Sequence, residues 1–489
     1  MTAVRRYDGT AVGRVAVVVG LCTALAACRL SAQGPDRTQP PPLGRAPVLA
    51  VPTPATVTLP NGLEIVVVPM HEVPVVDVNL IVRAGSVRDT RQTTGLATFA
   101  AGMLDEGAGR RTALDIADQA AFLGAQLSTG ATYEWATVSL HVPRRQLGPA
   151  LDLMADVALR PTFPDSEIAR QREQRSTAIL QLRDNPTSQA PIAFNAIVYG
   201  ADHPYGWPTG GTEASTAALS REAVQAFYDT YYRPNNARVI VVGDVTLAEA
   251  RRLVAARFGA WRRGAVTAPP APASPPPAPR TFYLVDKPGA AQSVIRIGHV
   301  GVARTSPDFY ALRVMNTLLG GSFTSRLNQN LRETHAYTYG ASSGFAMRRL
   351  AGPFTASASV VTAKTDSSII EFLRELRRIR DSVVPGEELQ KAKAYIALGM
   401  PSDFETTQGT ANQFLDLMTN DLPLATYASY IARINAVTAA DVQRVARRYI
   451  DPDHFAIVVV GDRSQIEAGL RALNEGPISL RDLWGQEIH

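Results

Sequence analysis

The residue types that can hold a metal, attack a carbonyl or move a proton are few in this chain, and their spacing narrows the chemistry further. The histidines are His71, His141, His203, His299, His335, His454 and His489, and no two stand at metal-ligand spacing on one helix. Cys22 and Cys28 are the only cysteines, and Cys22 lies in a segment with the character of a cleaved leader. A mature chain therefore has no disulfide, no cysteine-based zinc site and no cysteine nucleophile. Asp105 and Glu106 are adjacent, so their side chains point in different directions and read as loop caps or solvated groups rather than as a metal site. No Gly-x-Ser-x-Gly elbow, P-loop or dinucleotide fingerprint is present. Catalysis, if any, falls to His, Ser, Thr, Tyr and carboxylates.

The elements that position these residues come in two copies. YYRPNNARVIVVGD (231–244) aligns without gaps to YIDPDHFAIVVVGD (449–462), so that Tyr231, Pro234, Gly243 and Asp244 fall on Tyr449, Pro452, Gly461 and Asp462. Each copy reads as an amphipathic helix, a proline break, a β-branched strand and a Gly-Asp turn, followed by another helix. The starts of the halves also correspond. Asn61-Gly62 marks a turn before the strand LEIVVVP, the apolar strand VVDVNLIVRAG follows, and a helix begins near Thr94; TFYLVDKP and AQSVIRIGHVGV play the strand parts later. An α+β unit duplicated once is the expectation. Residues 264–280 hold almost only Ala, Pro and Ser, which favours extended polyproline geometry and disfavours packing, so they read as the linker. This predicts halves over 55–263 and 281–475 and a tail over 476–489. TDSSIIEFLRELRRIRDSV (365–383) and GEELQKAKAYIALGM read as amphipathic helices of the second half.

At 489 residues, with 46% hydrophobic and 19% charged residues, the chain is an ordinary globular protein too long for one core. Its net charge of +5 includes Arg5, Arg6 and Arg14 of the leader, and no basic run is interleaved with aromatics, which argues against nucleic-acid binding. Those arginines precede an apolar stretch from Val15 to Ala27, too short to span a bilayer as a mature helix, so residues 1–27 read as a secretory signal. The stretch ends in Leu25-Ala26-Ala27-Cys28, which resembles a bacterial lipoprotein box with Cys28 as the lipidated first residue. Cleavage after Leu30-Ser31-Ala32 is the alternative. Residues 28–54 are proline-rich, as a tether would be. The expected location is the periplasm, anchored by lipid alone or, on the alternative cleavage, soluble.

The segment GLATFAAGML (95–104) resembles the zinc helix of the insulinase/pitrilysin peptidases, the family that includes mitochondrial processing peptidase-like subunits; the family form is Gly-Leu-Ala-His-Phe-Leu-Glu-His-Met-Leu. In that family the two histidines bind zinc from one helical face and the glutamate polarises the metal-bound water. Here the three positions hold Thr98, Ala101 and Gly102, and the family's distal glutamate ligand falls near Thr177 or Ala178. None is a ligand. The resemblance thus implies a subunit type that has lost the zinc motif and binds no cofactor of its own.

A second signature remains. LLGGSFTSRLNQNLRETHAYTYGASSGF (318–345) resembles the family's Gly-Gly turn, Ser-Arg-Leu, Leu-Arg-Glu and following tyrosine. The family's paired arginine and tyrosine stand seven residues apart, which assigns Arg332 and Tyr339; Tyr337 is at the wrong spacing. A phenol donor can stabilise the oxyanion that grows as water adds to a peptide carbonyl, and a guanidinium fork can hold a substrate backbone or carboxylate. Taken singly, Arg332 paired with Glu333 and Tyr339 half-buried in a strand would be the plainer reading. The loop DHPYGWPTGG (202–211) also resembles a family stretch, but its Pro and Gly content suits a packed turn without catalytic role. The resemblance implies two homologous halves of helices on mostly antiparallel sheets, joined by the Pro/Ala-rich linker into a clam-shell. It further implies a heterodimer in which a zinc-bearing homologous subunit and this chain act on a peptide substrate, this chain being inactive alone. The alternative function is an inactive peptide-binding or scaffold protein of the cell envelope.

Overall fold

Residues 51–488 are described by the computed structural model. The leader, Cys28 and nearly all of the tether lie outside them. In the first half, β1 (Ala55–Thr58), β2 (Glu64–Pro69) and β3 (Val75–Val82) are followed by a separate two-residue hairpin, β4 (Gly107–Ala108) with β5 (Arg111–Thr112). Then come β6 (Gln126–Ala131), β7 (Ala136–Pro143) and β8 (Ala237–Gly243). The second half supplies β9 (Thr281–Asp286), β10 (Gln292–Val300), β11 (Thr338–Phe345), β12 (Pro353–Val361), β13 (Ala456–Gly461) and β14 (Ile478–Arg481).

The first sheet runs β1-β2-β8-β3-β7-β6 and the second β11-β12-β10-β13-β9-β14. With the outer strands β1 and β14 set aside, the two orders coincide: β2-β8-β3-β7-β6 corresponds to β9-β13-β10-β12-β11. The parallel pairs also correspond, β2 with β8 and β9 with β13, while the shared remainder is antiparallel. The repeat seen in the sequence is therefore a repeat of topology.

Two expectations differ from the structure. The stretch after residue 475, expected as a tail, contributes β14, which pairs in parallel with β9; the Ile-Ser-Leu-Arg alternation lets a short strand cover that edge. The linker, expected not to pack, has no regular element and is mostly exposed, yet its prolines line clefts of both halves and Thr267 accepts a hydrogen bond from Arg88 at 2.7 Å. Extended polyproline geometry presents ring faces that pack without needing a hydrogen-bond ladder.

The central strands are apolar on both faces because both faces are covered. Residues of β3 show this: all but the first are buried. Val78, Leu80, Val239 and Val241 join the first half's own helices in one core. Val66, Val68, Ile81, Ile240 and Val242 face the other way, into a core shared with the second half. What covers that second face is helix Thr407–Thr419, which packs on β3 and β8. The second sheet is treated in the same way. Helix Pro186–Tyr199 of the first half lays Ala190, Ala193 and Phe194 against Val285, Val294, Val458 and Val460.

Polar groups fix this exchange of helices. The last carbonyls of a helix have no partner within it. Here Met418 and Thr419 carbonyls accept from Arg238 (2.7 Å) and Trp135 Nε1 (2.9 Å) of the first half. Asp421, just beyond, pairs with Arg83 and Arg238. At the other crossing, Tyr199 Oη donates to the Ala351 carbonyl at 2.8 Å.

A large-to-small change at Phe194, which is fully buried on the other half's sheet, should cost about 3–5 kcal/mol. Because each half completes the other, calorimetry of the wild type and of Phe194→Ala should show one unfolding transition for residues of both sheets, shifted down in the variant. Two separate transitions would contradict the coupling.

Candidate functional site

The segment with the zinc-helix frame forms helix Leu96–Gly102. It starts two residues later than expected because Gly95, at φ 90, turns the chain in the left-handed region. Asp89 closes the start: its carboxylate accepts from the N–H groups of Gly95 and Ala97, both at 2.9 Å. Burial pushes the Asp89 carboxyl up to about 7 against the pull of those two donors and of Arg175. Arg175 is held in turn by the Gly95 carbonyl at 2.7 Å, with its guanidinium 4.9 Å from the Phe99 ring centre. Its own burial lowers it to about 10.

The frame residues Leu96, Ala97, Phe99, Met103 and Leu104 are core. The three ligand positions do different things. Thr98 Oγ1 lies 3.0 Å from the Gly95 carbonyl and 2.7 Å from the Thr209 carbonyl. The loop bearing Thr209 is clamped there by glycine on glycine, since a Cβ on Gly95 would stand 2.7 Å from Gly211. Ala101 is fully buried, and a Cβ on Gly102 would meet nothing within 4 Å. Thr177 and Ala178 are exposed on helix Asp165–Leu182. A hydroxyl engaged with carbonyls, a methyl and a hydrogen do not make a zinc donor set, so the residues present do not fit the metal. Among the described residues no group of three or more His, Cys, Asp or Glu is placed to hold one. The nearby carboxylates are occupied: Asp105 accepts from Thr129 at 3.1 Å, and Glu106 takes Arg170 at 2.5 Å and Gln171.

In the second half, the Gly320–Gly321 turn is fitted under β11, because a Cβ on Gly320 would come 2.3 Å from Ser343 N. Arg326 is buried and forks onto Glu388 at 2.7 and 2.8 Å, a structural role. Asn328 holds the start of β11 by accepting from Ala341 N at 3.2 Å. The chain then widens into a π-helix over Gln329–Thr334, a form that recurs at functional sites. Asn330 anchors this turn by donating to Glu371 (2.9 Å) and Glu375 (3.0 Å) of helix Thr365–Asp381.

Arg332 projects from the π-helix with its guanidinium 4.6 Å from the Phe323 ring centre and Nε 3.4 Å from Glu333. At these exposures the ion pair is weak and solvated. Tyr337 stacks on His335 at 5.0 Å. Tyr339 stands in an irregular stretch of β11, where the pairing with β12 shifts between Thr338 and Ala341, and it is 91% exposed. A bulge of this kind re-aims a side chain out of the sheet. Phe323, 62% exposed, is a member of the group that the motif spacing did not single out, although it lies inside the signature.

The two motifs share no hydrogen bond or ion pair among the described residues. Helix Leu96–Gly102 packs beside β6, at one edge of the first sheet, and the Arg332 segment beside β11, at the matching edge of the second. Between the halves, Tyr205 of the HPYG loop is fully buried, donates to Glu134 and accepts from Leu350 N at 3.2 Å. Arg348 stacks 3.9 Å from the Tyr133 ring centre in the same cluster. The loop is a lock between the halves, in keeping with a packed turn.

The raised Asp89 carboxyl has a testable consequence. It keeps its proton in the folded state up to about 7 but loses it near 4 when unfolded, so the native state binds the extra proton between those values. Its contribution to stability is complete below 4 and fades as pH rises through 7. Denaturant midpoints of the wild type should therefore fall more steeply from pH 4 to pH 7 than those of Asp89→Asn.

Known proteins resemble this chain over most of its length. Residues 65–204 match the family described as Insulinase (Peptidase family M16), and residues 218–396 match the Peptidase M16 inactive domain. An uncharacterised zinc protease of Mycobacterium leprae (strain TN) is 29% identical over 343 residues, 70% of this chain and 76% of that protein. The uncharacterised zinc protease YmxG of Bacillus subtilis (strain 168) is 24% identical over 409 residues, 82% of this chain and 97% of that protein. Among solved structures, a peptidase M16 inactive domain from Pseudomonas fluorescens aligns with a TM-score of 0.79 at 25% identity, covering 84% of this chain and 98% of that one. A protease from Helicobacter pylori aligns with a TM-score of 0.78 at 22% identity, covering 84% and 99%. With both sheet-bearing halves matched and the metal positions filled by Thr98, Ala101 and Gly102, the chain belongs to the insulinase (M16) peptidase family and carries no zinc motif.

Proposed function

We propose that this chain is the subunit that does not bind zinc in a bacterial envelope peptidase of the insulinase type, and that Arg332 and Tyr339 complete the active site of a homologous zinc-bearing partner. The observation that carries this reading is Tyr339: a large aromatic side chain held 91% exposed by an irregular strand, in the same signature segment as Arg332, whose guanidinium lies over Phe323 and pairs weakly with Glu333. Surface tyrosines of that exposure contribute little to folding. As water adds to the scissile carbonyl, the Tyr339 phenol donates to the growing oxyanion, which it stabilises more than the uncharged carbonyl. The Arg332 fork holds a backbone carbonyl or carboxylate of the peptide. Metal, water and base belong to the partner.

A second reading, an inactive peptide-binding or scaffold protein of the envelope, draws on the contacts Arg332 already makes with Glu333 and Phe323. Reconstitution with the zinc-bearing partner separates the two. In the complex, Tyr339→Phe should lower kcat about 100- to 1,000-fold with little change in KM, and Arg332→Ala should raise KM without rescue by Arg332→Lys. Equal hydrolysis by the partner alone, or by both variants, would leave only the scaffold reading.

The envelope location rests on the leader and on Cys28 as the lipidated residue. Expression of Cys28→Ser should move the protein from the membrane fraction to the soluble fraction, and mass spectrometry of the wild-type N-terminus should find a diacylglyceryl group on Cys28. An unmodified N-terminus beginning at Gln33 would show ordinary cleavage instead.

A further inference from the structure

Arginines are spread over both halves, but they are not equally paired. On helices Thr365–Asp381 and Ala439–Tyr449 of the second half, Arg374, Arg377, Arg378, Arg444 and Arg448 each make an ion pair with a carboxylate. Their charge is compensated where it stands.

The segment 247–264 of the first half is different. It holds five arginines and one carboxylate, Glu249. Glu249 is taken by Arg144 at 2.6 Å, and Arg257 pairs with Asp152 at 2.8 Å. Arg251 and Arg252 on helix Leu247–Phe258, and Arg262 and Arg263 just beyond its end, are exposed and make no ion pair among the described residues. Leu253, Val254 and Phe258 bury the other side of that helix. Four uncompensated guanidiniums on one short segment create a positive potential that attracts an anionic surface.

The turn between β1 and β2 holds this segment in place. Asn61 Nδ2 donates to the carbonyls of Phe258 at 2.7 Å and Trp261 at 3.2 Å, which ties the helix end and the start of the Arg262-Arg263 pair to that turn. Arg263 lies over the turn, its Cζ 3.6 Å from where a Cβ on Gly62 would stand. Arg251 and Arg252 stand two turns back from the helix end, about 10 Å along the axis at 1.5 Å per residue. Trp261 is half-buried beside Phe258, with ring centres 6.4 Å apart. An indole next to two arginines is a combination suited to a bilayer interface.

The same turn stands close to where the tether joins the folded body. β1 begins at Ala55, so residues 28–50 enter one short strand away, roughly 13 Å at the usual rise of a strand. Those residues carry Arg29, Arg37 and Arg45 against Asp36, so they add to the positive charge. In polyproline geometry they could reach about 70 Å. A lipid on Cys28 alone would leave the body free to stand off and turn.

We propose that Arg251, Arg252, Arg262 and Arg263 dock the folded body on an anionic phospholipid surface, their guanidinium forks on the headgroup phosphates. That this surface is the envelope membrane rests on the location proposed above; the affinity for anionic lipid does not.

The test uses the mature chain as Cys28→Ser, which carries no lipid, and co-sedimentation with vesicles of phosphatidylcholine alone or mixed with phosphatidylglycerol. The mixed vesicles should bind at least tenfold more tightly, and binding should fall as salt is added. Arg251→Ala, Arg252→Ala, Arg262→Ala and Arg263→Ala should each weaken it about fivefold, with the thermal midpoint near wild type. Arg447→Ala, which removes the same charge from an exposed, unpaired site of the second half, should leave it unchanged. Equal binding to both vesicles overturns the proposal. So does an equal loss in Arg447→Ala, which would mean net charge alone, or tighter binding to a DNA duplex than to the mixed vesicles. If the vesicle preference holds while the wild-type N-terminus carries no lipid, the docking surface stands and the anchor fails. If Cys28 is lipidated and the vesicles are not told apart, the anchor stands and the docking surface fails.

Discussion

Each sheet of this protein has two apolar faces and only enough helices from its own half to cover one. The second face of the first sheet is closed by helix Thr407–Thr419, and that of the second sheet by helix Pro186–Tyr199. Removing either helix would expose a surface of Val and Ile on a strand pair that no local element can shield, so each half depends on the other for its hydrophobic burial. The polar contacts follow from the same crossing. Trp135 and Arg238 supply donors to a helix end that would otherwise leave carbonyls unpaired in a buried seam. The Pro-rich linker joins the halves covalently, but packing is what fixes their relative placement.

That dependence explains why the zinc-helix frame outlasts the zinc ligands. Leu96, Ala97, Phe99, Met103 and Leu104 are core residues under the first sheet, and Asp89 and Gly95 set where the helix starts. Altering them would open cavities or leave buried N–H groups without partners, so folding alone retains them. The ligand positions carry no such load. Thr98 finds the Thr209 carbonyl on a neighbouring loop, Ala101 packs with its methyl, and at Gly102 there is free space.

The Arg332 segment shows the complementary case. Its buried members, Arg326, Leu327, Asn328 and Leu331, shape a π-turn and the start of β11. Phe323 and Tyr339, exposed, and Arg332, half-buried, are carried by that scaffold. Packing behind the segment supports them, with Asn330 bridging two glutamates of helix Thr365–Asp381.

The amino-acid sequence by itself determined the repeat, the strand and helix types and the missing ligand set, because these are local: hydrophobic period, Pro and Gly punctuation and residue identity at positions such as Thr98 and Ala101. Arg332 and Tyr339 were legible only through their family spacing, and Phe323 beside them was not, since its contact with Arg332 crosses a turn. The strand at Ile478–Arg481 was missed because four alternating residues look the same in a tail and at a sheet edge. The exchange of helices and the lock around Tyr205 were decided by tertiary structure alone. They join residues separated by tens to hundreds of positions, and no periodicity along the chain records which apolar face meets which.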